Sequence, residues 1–260
     1  MSISVILPSC GRPNLEYTVA TVLRELRPSE GDQLIVVSPR QPAVVCPCYD
    51  VRDDFIWIKH ENGGYDPKTL VSRNKEKGYP SGGQERDIGR ASATGTHVMV
   101  IDDDDIFIGG ALDAARRGIA NAPETPHIFR MRYGVTKQWR SPDARNLREG
   151  WNRGIGPEED WVLWGDPLLK LGNVGSAMCL FPNDARLKWY ASAPGGNVNE
   201  NEDFWVMMNF VRLTQRRPIF DPTVIGIIKP TPEQIGQVLN IDPPPIHYTP
   251  QSVVGWDGSV

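Results

Sequence analysis

Long apolar runs are missing from this 260-residue chain. No stretch approaches the roughly 20 residues that a membrane-spanning helix needs, and the amino terminus lacks the basic-then-apolar layout of a secretory signal. Residues 3 to 7 read simply as a short strand, so a cytoplasmic protein is expected. Cysteine is scarce: Cys10, Cys46, Cys48 and Cys179 are too few for a disulfide framework in a chain of this size. Cys46-Pro47-Cys48 is also spaced too closely for the usual zinc pair, which needs two to four intervening residues. All four read as reduced thiols. Internal repeats are lacking, and low complexity is limited to the prolines Pro243 to Pro245. What remains is an ordinary globular composition, 40% hydrophobic and 23% charged, enough for one large domain or two small ones.

Four consecutive aspartates, Asp102 to Asp105, follow the apolar run His97-Val98-Met99-Val100-Ile101. Four like charges within a few ångströms are costly unless something cationic neutralises them. One reading is a solvated acidic turn after a buried strand. The other is a divalent metal carrying a phosphorylated ligand, since hard carboxylate oxygens select Mg²⁺ or Mn²⁺. The net charge of −4 conceals a second concentration of charge. Between Arg130 and Arg153 seven basic residues face two acidic ones, a local +5 that leaves −9 for the remainder. Trp139 and Trp151 are interleaved there, a mixture that suits an anionic or planar partner or, equally, a solvated loop.

Periodicity supplies the fold class. Ile3 to Leu7 closes at Pro8 as a buried strand, and Leu15, Val19, Leu23 and Leu26 recur at helical spacing up to Pro28 and Gly31. Strands are expected at 34–37, 55–58, 97–101, 128–133, 176–181 and 224–228. Helices are expected at 84–93, after Gly109-Gly110 to about 120, and from Glu202 onward, with a short one possible at 68–77. This order argues for βαβ units and a largely parallel sheet. Ligands of such sheets bind beyond the carboxyl ends of the strands, where both Pro8-Ser9-Cys10 and the aspartates fall.

Three motifs in sequence order then resemble the GT-A glycosyltransferases, in particular the large family 2 that uses nucleotide-diphosphate sugars. They are Ser4-Val5-Ile6-Leu7-Pro8 with Arg12-Pro13; Arg86-Asp87-x-Gly89 and Ala93-x-Gly95 running into Val98 to Asp105; and Gly175-Ser176, Phe181 and Glu202-Asp203-Phe204-Trp205. The similarity covers roughly residues 2 to 215. It implies a Rossmann-like α/β domain at 1–230, with a mostly parallel central sheet flanked by helices. Residues 1–110 would form the nucleotide-sugar half and 111–230 the acceptor half, and 231–260 a tail over the site.

The resemblance implies an enzyme, a hexosyl- or pentosyltransferase. It places Asp102 and Asp104 in the DxD pattern, the first on the ribose side and the second on the Mn²⁺ or Mg²⁺, with Asp103 and Asp105 as alternatives in register. Pro8, Ser9, Cys10, Arg12, Ser38, Gly83 and Arg86 would surround the donor. Asp203, or Glu202, matches the catalytic base, against the simpler reading of helix capping. His247, on the stiff Pro243-Pro244-Pro245 arm, is a further metal-ligand candidate, whereas His60 and His97 are expected to be structural. Two departures stand out: Val37-Ser38-Pro39-Arg40 lacks the Asp that usually holds the base, and Asp87 replaces a usual Asn.

Rival classes are weaker. An EF-hand fails, because the glycine and the final glutamate it needs are Phe107 and Asp113 here. A related nucleotidyltransferase would want a richer phosphate loop than Ser9-Cys10-Gly11-Arg12. A non-catalytic binding module would rest on the basic, tryptophan-rich 130–153 segment. Combining the ideas gives a transferase whose acceptor is polyanionic, such as modified DNA, beside the alternatives of a protein or glycan acceptor.

Overall fold

The computed structural model describes residues 1–43, 54–60, 82–134, 175–189 and 202–245. The short helix expected at 68–77, most of the basic segment, and His247 lie outside them. Strand β1 (Ile3–Pro8) is buried along its whole length, as a β-branched run covered on both faces must be. Helix α1 (Leu15–Leu23) follows and buries Leu15, Val19, Val22 and Leu23 against it. Strands β2 (Gln33–Ser38) and β3 (Phe55–Lys59) extend the parallel sheet from β1.

Helix α2 (Gly83–Ser92) crosses back over β1 and leads into β4 (His97–Val100), which pairs parallel with the other side of β1. The crossing is close. A Cβ on Gly89 would stand 2.4 Å from Ile6 Cγ2, so the helix can seat on the strand only through a glycine. Strand β5 (Asp105–Phe107), helix α3 (Ala111–Asn121), β6 (His127–Tyr133), β7 (Cys179–Pro182), helix α4 (Glu202–Thr214), β8 (Ile219–Ile228) and helix α5 (Pro232–Leu239) complete the described elements.

The eight strands form one sheet in the order β3-β2-β1-β4-β7-β6-β8-β5. The half carrying β1 to β4 is parallel, as the βαβ order requires. Beyond it β7 is antiparallel to both β4 and β6, β6 and β8 are parallel, and β5 returns antiparallel to β8. A core from Ile3 through Met99, Phe129 and Leu180 to Phe210 runs through the domain. Phe181 links β7 to α4, with its ring 5.6 Å from Phe210 and edge-on to Trp189 at 6.0 Å.

At the amino-terminal end of the sheet, buried Asp32 accepts from the Ile3 and Arg27 amides at 2.8 and 2.9 Å and pairs with Arg116. His97 sits at that end too, its Nε2 2.7 Å from the Pro123 carbonyl. Cys10 and Cys179 are buried free thiols. Among the described residues no helix is long and apolar enough to cross a membrane.

The candidate donor and acceptor site

β1 and β4 are parallel neighbours with Ile6 opposite Val100, so the segments that follow them leave the sheet side by side. The Ile101 amide still donates to the Ile6 carbonyl at 3.0 Å, and the Asp105 amide then donates to the Asp102 carbonyl at 3.1 Å, closing a turn. This turn sorts the four aspartates. The side chains of Asp102 and Asp104 are 38% and 16% exposed, whereas Asp103 is 5% exposed. Asp105 is buried in β5, accepting from the Lys229 amide at 3.1 Å. Asp102 and Asp104 face outward; Asp103 and Asp105 are turned into the protein.

Each face has its own compensation. Asp103 accepts from Ser9 Oγ at 2.6 Å and from Arg12 Nη1 at 2.8 Å. Burial pushes its carboxyl upward, and the adjacent Arg12 charge works against that shift. Burial, reinforced by Asp104, holds the Asp105 carboxyl well above the ordinary range. The Cys10 thiol is raised to about 12, chiefly by burial and then by Asp103. It is a packing group at working pH rather than a nucleophile.

Ser9 Oγ also accepts from the Gly11 amide at 2.8 Å, and the Ser9 amide donates to the Val37 carbonyl. Pro8 is buried opposite Val37. Ser38 is turned inward, accepting from Trp57 Nε1 at 3.2 Å and donating to the Arg40 carbonyl.

Helix α2 delivers a cation, Arg86, to this corner. Gly82 precedes it at φ +98°, a backbone conformation that favours glycine, and a Cβ there would lie 3.1 Å from the Arg86 guanidinium. Gly83 is buried in the first turn. Arg86 donates through Nη2 to Asp102 Oδ1 at 2.7 Å, and its Nη1 stands 4.0 Å from Asp203 Oδ1 at the start of α4. Burial alone would lower the Arg86 pKa, but Asp102 and Asp203 more than offset it. One buried guanidinium thus lies between an outward aspartate and the expected base, residues a hundred positions apart in the chain.

Arg40 is the residue that sequence reasoning missed. It makes paired bonds with Glu16 and donates to the carbonyls of Gly11 and Arg12 at 3.0 and 2.8 Å, pinning the turn that carries Arg12. The departing Val37-Ser38-Pro39-Arg40 was its signal. Asp87 accepts from the Trp189 amide at 2.8 Å, a task an asparagine could also perform. His60 Nδ1 lies 3.2 Å from the buried Glu85 at the carboxyl end of β3. Glu202 opens α4, and His247 lies outside the described residues. Farther along α4 a cleft of about 320 Å³ lies between Val206, Phe210 and Leu213 and the turn Arg186 to Lys188.

Among the described residues no three His, Cys, Asp or Glu side chains converge to hold a metal ion by themselves. The outward pair nevertheless fits Mg²⁺ or Mn²⁺ in kind. Such ions are held by one or two carboxylates with the remaining oxygens supplied by substrate phosphates and water. Asp102 and Asp104 offer that donor set.

No family model matches the sequence, and no curated protein does. Solved structures do. S. aureus TarS superposes with a TM-score of 0.55 at 14% identity, over 92% of this chain and 38% of that one. Its 1–349 fragment superposes with a TM-score of 0.55 at 15% identity over 63% of the fragment, and the same fragment in complex with UDP-GlcNAc with a TM-score of 0.52 at 14% identity. The chain therefore spans under two thirds of the length of these relatives. With its Rossmann-like α/β sheet and flanking helices, it has the GT-A glycosyltransferase fold.

Proposed function

We propose that this chain is a metal-dependent, inverting glycosyltransferase that moves a sugar from a nucleotide-diphosphate donor to an acceptor hydroxyl. The observation that carries this reading is the Arg86 bridge, which sets outward Asp102 and Asp203 around one guanidinium at the carboxyl ends of β1 and β4. The fold shared with a protein solved bound to UDP-GlcNAc supports it. Residues 1–110 hold the donor and 111–230 the acceptor, and the enzyme works in the cytoplasm.

Asp104 and Asp102 would hold the Mn²⁺ or Mg²⁺, with His247 as a further ligand. When bound, that ion neutralises the departing diphosphate. Pro8, Ser9 and Ser38 shape the wall along the nucleotide, and Asp102 faces the ribose. Asp203 accepts the acceptor's proton. It lies in the first turn of a helix and near Arg86, and both favour its ionised form. As the anomeric carbon gains positive character, a carboxylate on the attacking side stabilises it and directs inversion.

The acceptor is a polyanion such as modified DNA, a reading supported by the +5 segment and its tryptophans; a protein or glycan hydroxyl is the alternative. To test the reaction, the full chain is incubated with a panel of UDP-, GDP- and TDP-sugars with and without Mn²⁺. Metal-dependent release of nucleoside diphosphate is expected. Release of pyrophosphate from nucleoside triphosphates, with no turnover of any sugar nucleotide, would overturn the assignment in favour of nucleotidyl transfer.

A further inference from the structure

A single nitrogen of Arg12 serves two carboxylates. Its Nη1 lies 2.8 Å from Asp103 Oδ1 and 3.0 Å from Asp104 Oδ2. The two acids are not equivalent. Asp103 is the buried one and has a second donor in Ser9, whereas the Asp104 side chain is 16% exposed and, like that of Asp102, reaches the surface. The backbone behind Arg12 is fixed, because Arg40 holds the carbonyls of Gly11 and Arg12. The Arg12 side chain, 25% exposed, thus reaches the aspartates from an anchored backbone.

Resting on the donor site proposed above, a second point follows from charge. An oxygen of Asp104 that accepts from Arg12 is less available to a divalent cation, and two cations a few ångströms apart repel strongly. A guanidinium displaced from a carboxylate has an obvious alternative, because its fork matches phosphate oxygens as well as it matches carboxylates.

We propose that Arg12 is an exchangeable counter-ion of the site. It neutralises Asp104 in the absence of donor, yields that carboxylate to the divalent cation, and turns its freed hydrogen bonds to the donor diphosphate. Metal and nucleotide are then taken up together, since each alone leaves one side of the exchange uncompensated.

The exchange predicts effects of opposite sign on cation and anion, together with a change at the guanidinium itself that a fixed counter-ion would not show. In calorimetric titrations of the full chain, Arg12→Met should bind MnCl₂ alone about tenfold more tightly than wild type, and UDP or GDP in saturating Mn²⁺ about tenfold more weakly. Arg12→Lys retains the charge and should change either affinity only about threefold. Unchanged or weaker Mn²⁺ binding by folded Arg12→Met overturns the proposal.

If that variant does not fold, wild type supplies the readout. The Arg12 guanidinium ¹⁵Nε resonance, assigned by its loss in Arg12→Lys, should move on adding MgCl₂, and a stationary signal overturns the proposal. Wild type that binds neither Mn²⁺ nor any nucleoside diphosphate removes the donor site itself. Wild type that binds both, with no gain in Arg12→Met, removes only the role of Arg12.

Discussion

Asp102 to Asp105 were legible as a charge cluster, but which members face outward was not. A run of identical residues carries no register of its own. The register comes from the backbone turn closed by the Asp105 amide on the Asp102 carbonyl, and from β5 drawing Asp105 into the sheet. The approach of Arg86 to Asp203 was equally hidden, because it joins side chains on two helices more than a hundred residues apart. His97 was easier to place, at the far end of its strand. Burial lowers the pKa of both His97 and His127, against the opposing pull of the Pro123 and Ala122 carbonyls. Both are therefore harder to protonate in the fold than in the unfolded chain, which protonates them below the ordinary value of 6.5. Their contribution to stability is present above that pH and is lost as the pH falls below it. We expect the thermal midpoint of wild type, relative to His127→Phe, to decline between pH 7.5 and 5. A difference that is flat or rises on acidification would contradict this assignment, and taking the difference removes carboxylates that titrate in the same range.

Most strands and helices fell within a residue or two of their expected places, because apolar periodicity and the breakers Pro8, Pro28, Gly95 and Pro182 bound them. Five pieces did not. Helix α1 ends at Leu23 although its apolar spacing ran on to Leu26, and β7 begins only at Cys179 because Ser176–Met178 form a 3-10 turn. β5 is three residues long and begins with a buried aspartate, so it offers no apolar run. The first half of β8 contains Asp221-Pro222-Thr223, which reads as a break; the strand continues through it, but the pairing with β6 skips from Phe220 to Val224 at an irregularity. Helix α5 lay in what read as a tail. Its signal was there to be used: Thr231 and Gln234 form a reciprocal capping box with Pro232 in the first turn. The tightest joint between elements is α2 on β1. Gly89→Ala forces a methyl onto Ile6, and we expect a loss of about 1–3 kcal/mol in chemical denaturation. An unchanged midpoint would show that the helix shifts away at no cost.

Across the whole molecule, the parallel half of the sheet was implied by strand–helix–strand order, whereas the antiparallel ladders around β7 were not. Their partners are separated by segments with no periodicity to read. Ile235 of α5 is buried with Ile106 and Ile227 in a small second core, with Tyr17 of α1 packed against it. That core lies directly behind the turn of aspartates, so the last helix supports the site from beneath. Removing residues 231–260 would expose Ile106 and Ile227, and we expect a lower thermal midpoint together with weaker Mn²⁺ binding. A truncated chain as stable as the full one would make α5 an accessory.

The whole reading converges on the outward pair of aspartates and the base opposite them. The most direct measurement is calorimetric titration of UDP and GDP, in Mn²⁺, into wild type, Asp104→Asn, Asp105→Asn and Asp203→Asn, with release of nucleoside diphosphate followed in parallel. We expect Asp104→Asn to lose metal-dependent binding, Asp105→Asn to retain it, and Asp203→Asn to bind normally without turning over. Equal loss of binding in all three variants, or none in Asp104→Asn, would contradict the assignment of these residues.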